Sequence, residues 1–383
     1  MPDMSTTTDV TSHTTTTGSE LVARAAAVGA EIALHTERHD REGTFVTESY
    51  DCLRTAGMLR IAVPTELGGD GATIREIAAV QRELAHHCGS TALASAMHQH
   101  VTAFTAWRYR RGLPGAEGAL RRVAEEGIVL VSTGAGDFTD PQGRAVKVDG
   151  GFRVSGHKRV ASQAPVGTVM STMFTFDDPE QGRRVLNMSV PMADDGVRVL
   201  DTWDALGMRG TGSHDIVVDD VFVPDERVLA NRPHGVVDPP LQVIFSIAMP
   251  IISAVYLGVA EAAYDAAVLA VGHRADDPGV QRQVGLMAHR LRVASWALDG
   301  ALDLVGDDPE PSAERFTAVL TAKREVALAG IEVCDLAMEV AGGGAFATGS
   351  TIERCYRDVR GAKLHPLTPE ATLVHAGRQA FAV

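Results

Sequence analysis

Two stretches of this chain carry residues that could move protons. Near the C-terminus, Gly342, Gly343 and Gly344 precede a charged segment, Glu353, Arg354, Arg357, Asp358 and Arg360, and then His365 directly before Pro366. Imidazole is the side chain whose ordinary pKa lets it act as acid or base near neutral pH. The proline pushes the backbone of His365 out of the α region, so the ring is presented at the end of an element. An imidazole interacting with a helix C-terminal dipole is the alternative use. The second stretch is SAMHQH, which holds His98 and His100. Two residues apart on a helix, they cannot share a face, so a metal pair is not expected and one of them can be a satisfied core histidine.

The segments around these residues show what has to position them. The three glycines allow a helix to end and the backbone to approach another surface closely. The charged segment behind them reads as an exposed or interfacial helix with i,i+4 pairs Glu353/Arg357 and Arg354/Asp358. From Ser19 to about Pro114 the periodicity is helical, and Thr73 with Glu76 forms a capping box ahead of Ile77, Val80 and Leu84. From about Gly127 the chain turns to short β-rich runs, with Asp149, Gly150 and Gly151 as a hairpin signal, ending near Pro233. Helices then resume. Asp277 and Pro278 open one, and another runs from about Ser312 to Val340. This predicts an α+β multidomain chain: a tail over 1–18, an N-terminal α-helical domain over 19–126, a β domain over 127–234 and a helical bundle over 235–383.

Composition narrows the partners. The 383 residues carry 49 acidic against 35 basic side chains, a net charge of −14. That balance argues against nucleic acid or an anionic membrane surface, since both require a basic footprint. The 241–260 segment has the length of a membrane span, but Gln242, Ser246, Pro250 and Ser253 interrupt it, and a central helix of a large protein is apolar all round for the same reason. Residues 1–18 are threonine-rich, lack the basic and apolar regions of a signal peptide and read as disordered. The four cysteines show no paired spacing, which points to a reducing cytoplasm. Neither GxGxxG nor GxxxxGK[ST] occurs, which lowers a Rossmann or P-loop reading.

Three motifs in chain order resemble the acyl-CoA dehydrogenase superfamily over roughly residues 20–383: VPTELGGDG at 63–71, WDALGMRGTGSHDIVVDDVFVP at 203–224, and GGG followed by ERCYRDVR at 353–360. The resemblance implies an N-terminal helical domain, a central β-barrel, a C-terminal four-helix bundle, a flavin (FAD or FMN) between barrel and bundle, and a homotetramer. For the flavin it implies contacts from Ser132, Thr133, Gly134, Ser162, Gly342 and Gly343, with Val160 leaving room over the ring where the family places Trp. A dehydrogenase of this family carries a glutamate eight residues beyond the aspartate of its RD pair, which here is Pro366, or on the first bundle helix, near Ala248. Neither is a carboxylate, and the family's RxxFG motif is not recognisable around 272–285.

The same positions look more like the flavin-dependent monooxygenase branch, aromatic and heteroaromatic hydroxylases fed with reduced flavin by a partner reductase. In that branch a histidine stands in an LH context, here Leu364-His365, and a second comes from the first domain, where His98 matches by position. The resemblance therefore assigns His365 as base and His98 as the residue facing activated oxygen, each with a pKa near neutrality, and a small aromatic or heterocyclic molecule as substrate. Two other readings stay open: an acyl-CoA dehydrogenase with Glu370 as a displaced base, and a flavin-free binding protein.

Overall fold

The computed structural model describes residues 18–133, 137 and 140–381. The expected tail lies outside them except for Gly18, which already begins the first helix. In chain order come α1 (Gly18–Glu42), α2 (Thr47–Thr55), α3 (Ile74–His87), α4 (Gly89–Arg110) and α5 (Ala116–Glu126). The Thr73/Glu76 capping box opens α3 with both reciprocal hydrogen bonds. Loop 61–72 folds back on itself through backbone bonds from Gly71 to Val63 and from Ala72 to Ile61.

The central domain contains β1 (Leu130–Ser132), β2 (Arg144–Val148), β3 (Gly151–Ala161), β4 (Val169–Asp178), β5 (Gly182–Pro191), β6 (Val197–Val199), β7 (His214–Pro224) and β8 (Val228–Pro233). Hydrogen-bonded neighbours run β6-β7-β3-β2-β4-β5-β8, with β1 alongside β4. Asp149 and Gly150 close the β2–β3 hairpin, with Val148 paired to Gly151 and Gly150 at φ 73°. One face of the sheet encloses a separate apolar core that includes Val154, Met170, Phe174, Leu186, Met188 and Ile216.

The last part holds α6 (Pro239–Val271), α7 (Pro278–Val305), α8 (Ala313–Ala341), α9 (Thr351–Asp358) and α10 (Pro369–Phe381). Asp238, Asp277 and Ser312 cap α6, α7 and α8 with their side chains, each satisfying an amide that the first helical turn cannot. Helix α6 packs against α3 and α4 on one side and α7, α8 and α9 on the others. That explains its composition: with protein on every side, no face needs to be polar. It is long and apolar enough to cross a membrane, yet its apolar window is wholly buried inside the protein. One continuous core joins these helices to the N-terminal ones, so the helical parts behave as a single packed body around α6.

Candidate active site

A cavity of about 810 Å³ lies where α4, α6, the β-domain loops and the turn after α9 meet. Its size falls within the range typical of ligand pockets. One wall is apolar, built from Leu93 and Met97 of α4 and Ile244, Phe245, Met249 and Ile252 of α6. The opposite wall comes from the ends of β1 and β3 and from loop 203–213. Leu364, His365 and Pro366 form a third side.

Loop 203–213 is held in place by α9. Gly207 lies so close that a Cβ there would sit 2.4 Å from the carbonyl of Arg357. Met208 adopts φ 53°, a left-handed conformation that costs a side-chain-bearing residue roughly 1 kcal/mol. Its amide donates to the Asp358 carboxylate, which offsets that strain. Burial raises Asp358 to about 6. The expected Arg354/Asp358 pair does not form, because Asp358 turns inward to the loop. Glu353 does pair with Arg357, at 2.9 Å, and Arg357 also reaches Asp40 of α1 at 2.6 Å and the carbonyl of Leu206 at 3.1 Å.

Three hydroxyls line up on the β side. Thr211 donates to the carbonyl of Met208 at 2.9 Å, Thr211 and Ser213 oxygens are 2.7 Å apart, and Ser213 and Ser162 are 2.8 Å apart. With the first proton committed to a carbonyl, the chain runs Ser162 to Ser213 to Thr211. Ser162 is left with acceptor capacity toward the cavity. Next to it, Gln163 joins three elements: it accepts from Tyr50 of α2 at 2.5 Å, its side-chain amide donates to Leu130 at 2.9 Å, and its backbone amide donates to Thr211 at 2.9 Å. Val160, at φ 63° in the β3 irregularity, lines the cavity with Arg159.

Of the residues singled out in the sequence, Ser132, Thr133, Ser162 and His365 come together on this cavity. Gly134 lies outside the described residues. Gly342 and Gly343 are not there. They end α8, with Gly342 at φ 73°, and a Cβ at either would meet nothing within 4 Å. Within one chain these glycines terminate a helix and approach no other surface.

His98 is also elsewhere. Its Nε2 lies 2.6 Å from the Leu59 carbonyl and its Nδ1 accepts from the Leu130 amide at 3.0 Å, so both ring nitrogens are committed to the backbone. It is fully buried and burial pushes it down to about 4. It is a strut between α4, the 58–60 turn and β1. His100, on the other face of α4, is the histidine that lines the cavity. The placement of His98 is thus corrected to His100, since matching by position cannot resolve which of two near neighbours on a helix points inward.

His365 Nε2 lies 2.8 Å from Tyr256 Oη. Burial, then the charges of Lys323 and His100, lower His365 to about 3. Burial also drives the Tyr256 hydroxyl well above its ordinary value. The expectation of an imidazole titrating near neutrality is therefore replaced by a neutral imidazole hydrogen-bonded to a neutral phenol. Tyr256 escaped the sequence reading. Its signal was the one aromatic hydroxyl in the apolar 241–260 stretch of α6, where a buried polar tip requires a partner.

Ala248 and Pro366 both line the cavity, and neither supplies a carboxylate. Glu370 is exposed on α10 and does not line it. Among the described residues the one carboxylate on the cavity wall is Asp137, which is already engaged by Lys158 at 3.1 Å, Thr133 at 2.5 Å, Thr172 at 3.2 Å and the Gln142 amide at 3.0 Å.

Comparison with known proteins follows the same three-part division. The chain matches the acyl-CoA dehydrogenase N-terminal domain over residues 20–109, the middle domain over 132–221 and the C-terminal domain over 250–370. It is 31% identical over 349 residues to the amino sugar nitrososynthase DnmZ of Streptomyces peucetius, covering 86% of this chain and 84% of that protein. It is 26% identical over 378 residues to the flavin-dependent monooxygenase oxygenase subunit HsaA of Rhodococcus jostii, covering 87% and 91%. The structure of KijD3 in complex with FMN and dTDP-3-amino-2,3,6-trideoxy-4-keto-3-methyl-D-glucose superposes with a TM-score of 0.88 at 30% identity over 95% of this chain and 94% of that one. With all three domains matched in order, the chain belongs to the acyl-CoA dehydrogenase family.

Proposed function

We propose that this protein is a flavin-dependent monooxygenase that uses reduced FMN and O₂ to oxidise the amine nitrogen of a small substrate, with nucleotide-linked amino sugars as the first class to test. The observation that carries it is the missing base: both places where the family resemblance puts a dehydrogenase glutamate, Ala248 and Pro366, face the cavity without a carboxylate. Removal of an α-proton from a thioester needs such a group, so the dehydrogenase reading loses its central residue.

The residues present fit a flavin. The cavity is lined both by apolar side chains of α4 and α6 and by a row of hydroxyls, as a ring system with one polar edge requires. Ser162, Ser213 and Thr211, with Ser132 and Thr133, would hold the ring's polar edge, and Arg159 would supply positive charge for its phosphate. When bound, the reduced flavin supplies two electrons and activates oxygen. The rest falls to this chain. The apolar wall from α4 and α6 keeps water out of the reacting space. Tyr256 Oη and His365 Nε2 share a hydrogen bond and hold a proton next to the substrate with neither group charged. His100 faces the same space as a second neutral imidazole.

The electrostatics favour an amine. A nitrogen is oxidised through its lone pair, so the amine must be neutral. Among the described residues the cavity offers Arg159 and no uncommitted carboxylate, with Arg357 and Arg360 already paired to Asp40, Glu353 and Asp335, so nothing on its wall stabilises an ammonium ion and the neutral amine is favoured. DnmZ and KijD3, by name or bound ligand, concern amino sugars, which supports the same class. A small aromatic or heterocyclic substrate is the second reading, favoured by Trp203 and Phe245 on the cavity wall. A separate flavin reductase is the expected partner, supported by HsaA being one subunit of its system. A homotetramer in the cytoplasm completes the proposal.

The test supplies purified protein with FMN, NADH and a flavin reductase, and measures N-oxidised product and hydrogen peroxide together. Product formed from a dTDP-amino sugar with little peroxide supports the reading. Peroxide alone with every amine, or anaerobic reduction of bound flavin by an acyl-CoA, overturns it.

A further inference from the structure

Lys323 sits in the middle of α8, 3% exposed. Its Nζ donates to the carbonyl of His365 at 2.8 Å and to that of Leu367 at 2.7 Å. Among the described residues no carboxylate lies within ion-pairing distance of it. A buried ammonium without a counter-charge is expensive, and groups of this kind are rare unless they do something. Methionine would fill the same space among the apolar residues of α8 without that cost.

We propose that Lys323 is a positioning residue. It fixes the backbone on either side of Pro366 through the carbonyls of His365 and Leu367, and its charge adds to burial in keeping His365 the neutral partner of Tyr256. The inference rests on the proposed reading in which His365 serves the reaction. The geometry is specific. One ammonium spans two carbonyls of a single short turn, and that turn carries the cavity-facing imidazole. The other groups facing this pair are His100 from α4, Tyr256 from α6, buried Asp358 from α9, and Arg360 on the turn that leads to His365. Lys323 and His100 both disfavour an imidazolium at His365, and of the two only Lys323 carries charge across the neutral range. Burial lowers Lys323 to about 8, so it remains charged throughout the acidic range in which His365 could gain a proton. Above that value its neutral amine still has two N–H donors for the two carbonyls.

The experiment uses the full chain and reads the protonation of individual histidines by hydrogen–deuterium exchange at ring C2, alongside product formation against pH. In Lys323→Gln the amide keeps donors but loses the charge. His365 then protonates with an affinity at least ten-fold higher, and the acidic limb of the activity profile moves up by about one pH unit. Lys323→Met loses both donors and charge and shows the same protonation change together with a further fall in product per flavin oxidised. Lys323→Arg keeps both and leaves the His365 constant within about two-fold. A His365 constant unchanged in the Gln and Met variants overturns the inference, as does an Arg variant shifted as far as Gln. Should His365 shift as expected while activity stays flat, the assignment of Lys323 stands and the proposed role of His365 falls.

Discussion

Tyr256 Oη and His365 Nε2 lie 2.8 Å apart, joining the long apolar helix α6 to the turn that closes the cavity. Their separation in sequence is 109 residues, so the pair exists only because α6 and the end of α9 pack together. Tyr256→Phe keeps the ring and removes the hydroxyl. Product formation per enzyme is expected to fall about ten-fold or more, with KM within about two-fold, because the lost interaction acts on the reaction rather than on binding. Steady-state turnover with a supplied reductase measures this. An unchanged kcat would remove Tyr256 from the proposed mechanism.

Gly361 makes room for that hydroxyl. A Cβ at position 361 would stand 2.7 Å from Tyr256 Oη, closer than real Cβ atoms approach a neighbour. Gly361→Ala should destabilise the protein by about 1–3 kcal/mol, as overpacking does. In the Tyr256→Phe background the offending oxygen is gone and the penalty should shrink. A double-mutant cycle by urea unfolding gives the coupling directly. Full additivity would show that the two residues do not press on each other.

His98 and His100 are each pushed down to about 4 by burial, against about 6.5 in an unfolded chain. Their folded pKa lies below the unfolded one, so the unfolded state binds more protons between these values. Stability therefore falls as pH drops from about 6.5 toward 4. Asp358, raised to about 6 by burial, works the other way and offsets part of the loss, since the folded state takes up that proton first. His98→Gln should lower stability at pH 7, because it removes one of two backbone bonds. It should also reduce the slope of unfolding free energy between pH 6.5 and 4.5 by up to about 1.4 kcal/mol per pH unit. Urea melts at closely spaced pH values check both, and an unaltered slope would show that His98 is protonated inside the folded chain.

Glu370→Gln tests the displaced-base alternative. Glu370 is exposed on α10 and away from the cavity wall, so the substitution should leave turnover and KM within about two-fold, the range of an uninvolved surface change. A loss of two orders of magnitude would restore Glu370 as a base and require α10 to move over the cavity.

Much of the architecture could be read in the sequence because it rests on local physics. The Thr73/Glu76 box, the Asp277-Pro278 start of α7 and the Asp149-Gly150 turn each act within four residues, and each is present in the structure. The apolar 241–260 segment showed a helix buried on all sides, which α6 is over that stretch. The family motifs brought Ser162 and His365 to attention, and both line the cavity.

What remained hidden depends on which face of an element meets which partner. Helical period separates His98 from His100 but does not say which side holds the cavity; the packing of α4 on β1 and the 58–60 turn decides it. The charged run of α9 suggested a surface pair for Asp358, yet docking of loop 203–213 turns that carboxylate inward to a backbone amide. Tyr256 and Lys323 each put a polar tip into a buried helix, but the partner that tip meets comes from a turn more than forty residues away in each case, which no local pattern shows. The sequence by itself determined the elements, their order and the lack of a dehydrogenase carboxylate. Tertiary structure alone decided which neutral groups face one another, because burial and proximity across the fold set their charge.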